Sequence, residues 1–299
     1  MRINRHRNAF IGSSWGLNIS VMRIAFIGFG EVATAFSSAL AARGARIAAY
    51  DVRPDQREAA ERLGVSFGTL SDALQDADYV FSTVTTSVAR LAAEQCAPRL
   101  RPGQHYVDLN ATDPDAKKEI QRVIEPSRAA FVEGALLGAV GVTGAKTEIL
   151  LGGPAARRAE QDLAGTLGLN ARFYSEEIGK ASMFKMLRSV FSKGMEALLI
   201  EFLAAGERAG IRDDLWKEVT GLFATQPFEK VAANWVRSHA SAHERRYHEV
   251  KQVAAVLRAL GIEPTITAAT EAFFARSASL GLVPATSMDE VVRRFNERL

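Results

Sequence analysis

The sequence predicts an α/β chain in two parts, a doubly wound parallel sheet followed by an all-α domain, and three observations predict it. A glycine-rich turn joins a short apolar run to a helical stretch within residues 23–43. Apolar runs and amphipathic stretches then alternate as far as about residue 133. From residue 179 onward the periodicity is helical.

Taken in order, Arg23–Ile27 is a short β-type run, and Glu31–Arg43 is helix-forming and closed by Gly44 as a C-terminal cap. A second strand, Arg46–Tyr50, ends on Asp51 and completes a βαβ unit. The alternation continues with helix Pro54–Leu63, strand Tyr79–Thr83, helix Val88–Ala97, strand Tyr106–Leu109, helix Pro114–Ile124 and strand Phe131–Glu133. Such alternation implies parallel strands with helices on both faces. A long helical stretch, Ala181–Ala209, has only Gly194 and Gly206 inside it. After it come helices Asp213–Phe223, Phe228–Arg237, His243–Leu260, Ile266–Leu280 and Met288–Leu299. The domain boundary is expected at about residue 178, giving a dinucleotide-type domain at 22–178 and a helical substrate and dimerisation domain at 179–299.

At 299 residues, 47% hydrophobic and 24% charged, the chain suits two soluble globular domains. Of the net charge of +3, Arg2, Arg5 and Arg7 account for all. Removing those three from the 37 basic residues leaves 34 against 34 acidic, so the basic balance gives no support to nucleic-acid binding. Residues 1–21 are Arg-rich and acid-free, which suits a transit peptide, but Met22 opens directly into the first strand. A disordered extension or a misassigned start is the expectation for them. Cys96 is the only cysteine, so no intrachain disulfide forms, and a cytoplasmic setting is the simplest. No apolar run reaches transmembrane length, and no membrane partner is expected.

The turn reads Gly28-Phe29-Gly30-Glu31-Val32-Ala33. In this Gly-x-Gly-x-x-Ala pattern the first glycine permits the tight strand-to-helix turn. The second lets backbone approach a pyrophosphate, whose charge the helix N-terminus meets. Asp51, 21 residues past Gly30 and at the end of the next strand, supplies the context that makes this a Rossmann-type fingerprint. Its carboxylate suits ribose hydroxyls and disfavours a 2′-phosphate, so NAD is expected. Arg53 beside it leaves NADP open. The loop Thr83-Val-Thr85-Thr-Ser87 either reaches the cofactor or caps a helix.

With those residues in hand, the chain resembles the β-hydroxyacid dehydrogenase family over nearly all of residues 22–210. The resemblance rests on the glycine signature and on Val107-Asp-Leu-Asn110-Ala111 where that family has Asp-x-Ser-Thr. It rests also on Val132-Glu-Gly-Ala-Leu-Leu137-Gly138-Ala where the family has Asp-Ala-Pro-Val-Ser-Gly-Gly, and on the helix ending Glu201-Phe-Leu-Ala-Ala-Gly-Glu-Arg-Ala-Gly210. It implies that Lys185 is the catalytic lysine, that Asn110 adjoins the cofactor, and that Ala111, Leu137, Gly138 and Ser189 border the substrate. Ala111, Leu137 and Ser189 replace a threonine, a serine and an asparagine, which argues against a small 2-methyl-3-hydroxy acid. The segments from Lys185 to Leu198 and from His243 to Val250 resemble the branch of phosphogluconate-dehydrogenase-like NAD-binding proteins that carry a C-terminal domain of unknown function.

Ser189, Ser192 and Glu196 fall within about 40° of Lys185 on a helical wheel, while Met186, Leu187, Val190 and Leu198 make an apolar opposite side. A lysine in such a place serves as general acid/base for hydride transfer if burial and nearby cations lower its pKa, and Arg188 and Lys193 are placed to do so. Arg245 and Arg246, at the start of the predicted helix His243–Leu260, either clamp an acidic substrate or are solvated, and Arg188 is a further candidate to meet the substrate's acid group. His239 and His243 have i, i+4 spacing but no matching ligand set, so no metal is expected. The expectation is an NAD(P)-dependent oxidoreductase acting on a hydroxy-acid-like or bulkier alcohol, as a homodimer. The rivals are a nucleotide-binding protein without turnover and an imine reductase-like enzyme.

Overall fold

The computed structural model describes residues 21–298, so the leader expectation for residues 1–21 lies outside them in all but Val21. The first unit begins with β1 (Arg23–Ile27), α1 (Glu31–Ala42), β2 (Arg46–Tyr50), α2 (Gln56–Arg62), β3 (Ser66–Phe67), α3 (Leu70–Leu74) and β4 (Tyr79–Ser82). It continues through α4 (Ala89–Cys96), β5 (His105–Asp108), α5 (Pro114–Ile124), β6 (Ala130–Leu137), α6 (Val140–Thr143), β7 (Glu148–Gly152), α7 (Ala156–Glu160) and β8 (Ala171–Ser175). These strands form one sheet in the order β3-β2-β1-β4-β5-β6-β7-β8, parallel throughout except at β6–β7. The antiparallel step departs from the expected all-parallel reading, and the 2-residue β3, together with β7 and β8 in 134–178, are strands that the sequence reading did not assign.

Both faces of the sheet are covered, which explains why the strands read as continuous apolar runs. Ile24 and Phe26 of β1 join one core with Phe36 and Leu40 of α1. The alternate residues Ala25 and Ile27 join the other with Ala93 of α4 and Ile120 and Ile124 of α5. Strand order reverses between β1 and β4. The crevice beyond the carboxyl ends of those two strands is where a doubly wound sheet receives a ligand.

The helices that follow are α8 (Lys180–Ala209), α9 (Arg212–Thr225), α10 (Phe228–Ala259), α11 (Thr265–Ser279) and α12 (Met288–Asn296). The chain divides into compact units at Arg188/Ser189, inside α8. The first turns of α8 belong with the sheet, because Ala181 and Phe184 pack on Ala135, Leu137 and Leu150. In the second unit the Glu201 carboxylate accepts from Ile266 N, Thr267 N and Thr267 Oγ1 at 2.8, 2.9 and 2.6 Å, capping α11. Arg208 donates to the carbonyls of Leu260 and Gly261 at the end of α10.

Where the sequence predicts two helices, Phe228–Arg237 and His243–Leu260, there is one of 32 residues. Ser238 and Ser241 satisfy their hydroxyls on the carbonyls three residues back, so the serine-rich stretch does not break the helix. Arg245 and Arg246 therefore lie in mid-helix and not at a helix start. No helix among the described residues is long and apolar enough to cross a membrane.

Candidate active site

The turn after β1 is built for close backbone approach. Gly28 has φ +89°, and a Cβ there would lie 2.7 Å from the Thr83 carbonyl oxygen and 2.8 Å from Val84 Cγ1. Thr83, from the loop after β4, donates its hydroxyl to the Gly28 carbonyl at 2.6 Å and so locks the two loops of the switch point together. A Cβ on Gly30 would meet nothing within 4 Å, and the N-terminus of α1 has no side-chain cap. Open space above uncapped amides at a helix start fits a pyrophosphate. Of the other signature residues, Phe29 is buried, Val32 is half-buried and Glu31 is exposed. Replacing Gly28 by alanine is expected to cost roughly 1–3 kcal/mol from the strained φ and to weaken NAD binding, read by denaturant midpoint and by cofactor titration.

Asp51 is 9% exposed and fixes this turn, because its carboxylate accepts from Phe29 N at 2.7 Å and from Arg53 N at 2.8 Å. The Arg53 guanidinium closes on it at 3.2 Å. Burial alone would raise the Asp51 pKa, but the bonds from Arg53 and Phe29 outweigh it and hold the group below the ordinary aspartate value. The two residues that the sequence sets in opposition over cofactor choice are thus partners of one another. Thr85 is exposed, with its hydroxyl 3.4 Å from Ser87 Oγ.

Behind the adjacent strand end sits a buried ion pair. Lys117 of α5 is fully buried, its Nζ 3.1 Å from Asp108 Oδ2 and 2.8 Å from the carbonyls of both Asp108 and Asn110. The Asn110 amide donates to Ser82 Oγ at 2.9 Å and to Asp108 Oδ1, while its own Oδ1 and the Thr112 hydroxyl are buried without a hydrogen-bond partner. Lys117 thereby fixes the path of the Asp108–Asn110 loop. Ala111, next along, is exposed and its carbonyl accepts from Thr86 Oγ1 at 3.5 Å.

The lysine helix is held by a second buried carboxylate. Glu133, near the middle of β6 and 0% exposed, accepts from Gly179 N at 2.7 Å and from Ser182 N at 2.6 Å, satisfying amides at the start of α8. Lys185 follows three residues after Ser182, on the same face of that helix, and is half-buried. Burial, then the positive charge of Lys117, push its pKa below the ordinary lysine value. The cation acting on it is Lys117, whereas Arg188 and Lys193, to which the sequence assigns that task, are exposed. Leu137 and Phe184 pack with Ala135, Leu150 and Ala181 as an apolar cluster beside the lysine's helix turn, and Gly138, with φ +121°, ends the strand. The supposed apolar back of α8 is not a core face: Leu187 is 63% and Val190 73% exposed.

Of the remaining predicted residues, Ser189, Arg245 and Arg246 lie in the second unit, where Arg245 pairs with Glu249. His239 bonds Ser277 Oγ at 2.9 Å, and His243 Nδ1 the His239 carbonyl at 3.1 Å. Sequence reading missed Lys117 and Glu133 as functional residues. The signal for Lys117 is its place at i, i+3, i+7 with Ile120 and Ile124 on the buried stripe of α5. Nothing local marks Glu133, whose role is defined by residues 46 and 49 positions away.

Fold and site together define a dinucleotide-binding protein with an oxidoreductase-type layout. Residues 23–163 match the NAD binding domain of 6-phosphogluconate dehydrogenase, and residues 207–277 match a domain of unknown function, DUF1932. The chain belongs to the family of 6-phosphogluconate-dehydrogenase-like NAD-binding proteins that combine these two domains. It is 32% identical to a conserved protein of unknown function whose structure is similar to 3-hydroxyacid dehydrogenases, covering 86% of this chain and 97% of that one, with a TM-score of 0.60. Mitochondrial 3-hydroxyisobutyrate dehydrogenase of Rattus norvegicus is 23% identical over 67% of this chain, which spans 61% of that enzyme's length. The imine reductase from Myxococcus stipitatus in complex with NADP+ shares the fold, with a TM-score of 0.76 at 18% identity and coverage of 92% and 99%.

Proposed function

We propose that the protein is a nicotinamide-dependent oxidoreductase that interconverts an alcohol and a carbonyl, with Lys185 as general acid/base and NAD as the preferred cofactor. The observation that carries this reading is a half-buried lysine of lowered pKa on a helix anchored by Glu133, in the same unit as a glycine turn fit for a pyrophosphate. The bound nicotinamide supplies the hydride acceptor or donor. In oxidation, neutral Lys185 takes the hydroxyl proton as the alcohol carbon loses hydride. In reduction, its ammonium returns a proton to the carbonyl oxygen. Lys117 holds the loop that carries Asn110, which supports a cofactor role for that residue. The exposed apolar residues of α8, among them Phe191 at 55% and Ile200 at 64%, support assembly as a homodimer. A screen of oxidation and reduction with NAD and NADP, against hydroxy acids, sugar acids, larger aromatic alcohols and cyclic imines, tests the reading. Turnover of imines alone, or none with any substrate despite cofactor binding, would overturn it, and NADP-only activity would remove the role given to Asp51.

The substrate side follows from the apolar cluster. A short carboxylate buried against Leu137 would lack a donor, so the substrate presents an apolar or bulkier group there. Replacing Leu137 by serine restores at most one hydrogen bond, roughly 0.5–1.5 kcal/mol, and is expected to raise kcat/KM for small β-hydroxy acids several-fold relative to the preferred alcohol. Native turnover of 3-hydroxyisobutyrate equal to that of larger alcohols would refute this account of Leu137.

A further inference from the structure

The second unit contains a cavity of about 630 Å³ between α10, α11 and α12, bordered by Trp235, His239, Arg246, Phe273, Phe274 and Phe295. Its size is that of a small-molecule site, and its wall is largely aromatic: Phe273 stacks on Phe295 with centroids 5.5 Å apart, and His239 lies 5.0 Å from Phe274. Trp235 and Phe273 remain 47% and 49% exposed at its edge. One full positive charge borders this apolar space.

That charge has no carboxylate within 4.0 Å among the described residues. Arg246 is half-buried and donates only to neutral oxygens of its own helix, Ser238 Oγ at 2.7 Å and the Trp235 carbonyl at 3.4 Å. Its neighbour Arg245 is neutralised by Glu249, and Arg293 and Arg294 on α12 by Glu297 and Glu290. His239 adds no second cation. Burial, His243 and Arg246, in that order, lower its pKa, and its Nε2 is engaged by Ser277 Oγ. A single guanidinium without a counterion, set in an aromatic wall, matches a monoanion attached to an apolar body.

We propose that this cavity is a binding site for a small monocarboxylate bearing an aromatic or branched apolar group, with the carboxylate on Arg246 and the body among Trp235, Phe273 and Phe295. The site goes beyond the hydride-transfer reading and is read by equilibrium binding without cofactor, so either idea can fail alone.

The test is calorimetric titration of the full chain with 3-phenylpropionate, 3-phenylpropionamide and propionate. The expected result is saturable binding of 3-phenylpropionate, with the amide and propionate each weaker by about tenfold or more. R246M is expected to erase the preference for acid over amide, and V292W, which fills the cavity from α12, to weaken both aromatic ligands, with circular dichroism checking that each variant is folded. Equal affinity for acid and amide, no saturable binding at millimolar ligand, or full binding in V292W would each overturn the proposal. So would sedimentation showing that V292W separates a dimer while ligand binding is unchanged, because a second copy would then own this surface.

Discussion

Replacing Lys185 by alanine lowers turnover by roughly 10²–10⁴-fold while leaving NAD affinity unchanged, the range expected when a general acid/base is removed and cofactor contacts are kept. The separation is possible because the residues that fit the pyrophosphate, Gly28 to Ala33, owe their geometry to Asp51 and Thr83 and not to α8. In the oxidation direction the native pH profile should rise with pH through the lowered pKa of Lys185, since the neutral amine is the working form. Lys185→Arg keeps the charge and much of the bulk but holds its proton at every accessible pH, so it should be nearly as inactive as alanine and show no such rise. Full turnover in either variant, with a cofactor titration matching native protein, would remove Lys185 from the chemistry.

The glycine turn and Asp51 are legible in the sequence because they stand at a fixed spacing within one βαβ unit, and the parallel strands because strands covered on both faces read as apolar runs. The helix α8, whose register places Lys185, is legible too. What is not legible depends on distant partners. The antiparallel β7 and the edge strand β8 are defined by pairing to β6 and to each other, and Glu133 gains its meaning only when Gly179 and Ser182 arrive above it. The division of α10 into two helices fails for a related reason. Ser238 and Ser241, in the gap between the two predicted helices, bond back to their own helix while His239, Ala240 and His243 are buried beside them. Arg188 and Lys193 look like the cations nearest Lys185 because sequence distance is all that a linear reading offers. Lys117, 68 positions away, is the one that the fold brings into effect.

Lys117→Met carries the largest expected loss of stability, because it removes one member of a buried pair and leaves the Asp108 carboxylate without its cation. Breaking such a pair costs about 3–5 kcal/mol, to be read from denaturant unfolding. The carbonyls of Asp108 and Asn110 lose their shared donor at the same time, so the loop bearing Asn110 loosens. A purely structural lysine would stop there. Lys117 also contributes to the lowered pKa of Lys185, so its removal moves that pKa back toward the ordinary lysine value, and the acid limb of the oxidation profile shifts to higher pH. The double variant Lys117→Met/Asp108→Asn separates the two effects. It removes the stranded charge while keeping an acceptor for the Asn110 amide, so it should regain a large part of the lost stability. Its acid limb should stay above the native position, since the cation is still missing, and below that of the single variant, whose unpaired carboxylate also favours the Lys185 ammonium. An acid limb unmoved in both variants would reduce Lys117 to a structural residue, whatever the stability measurements show.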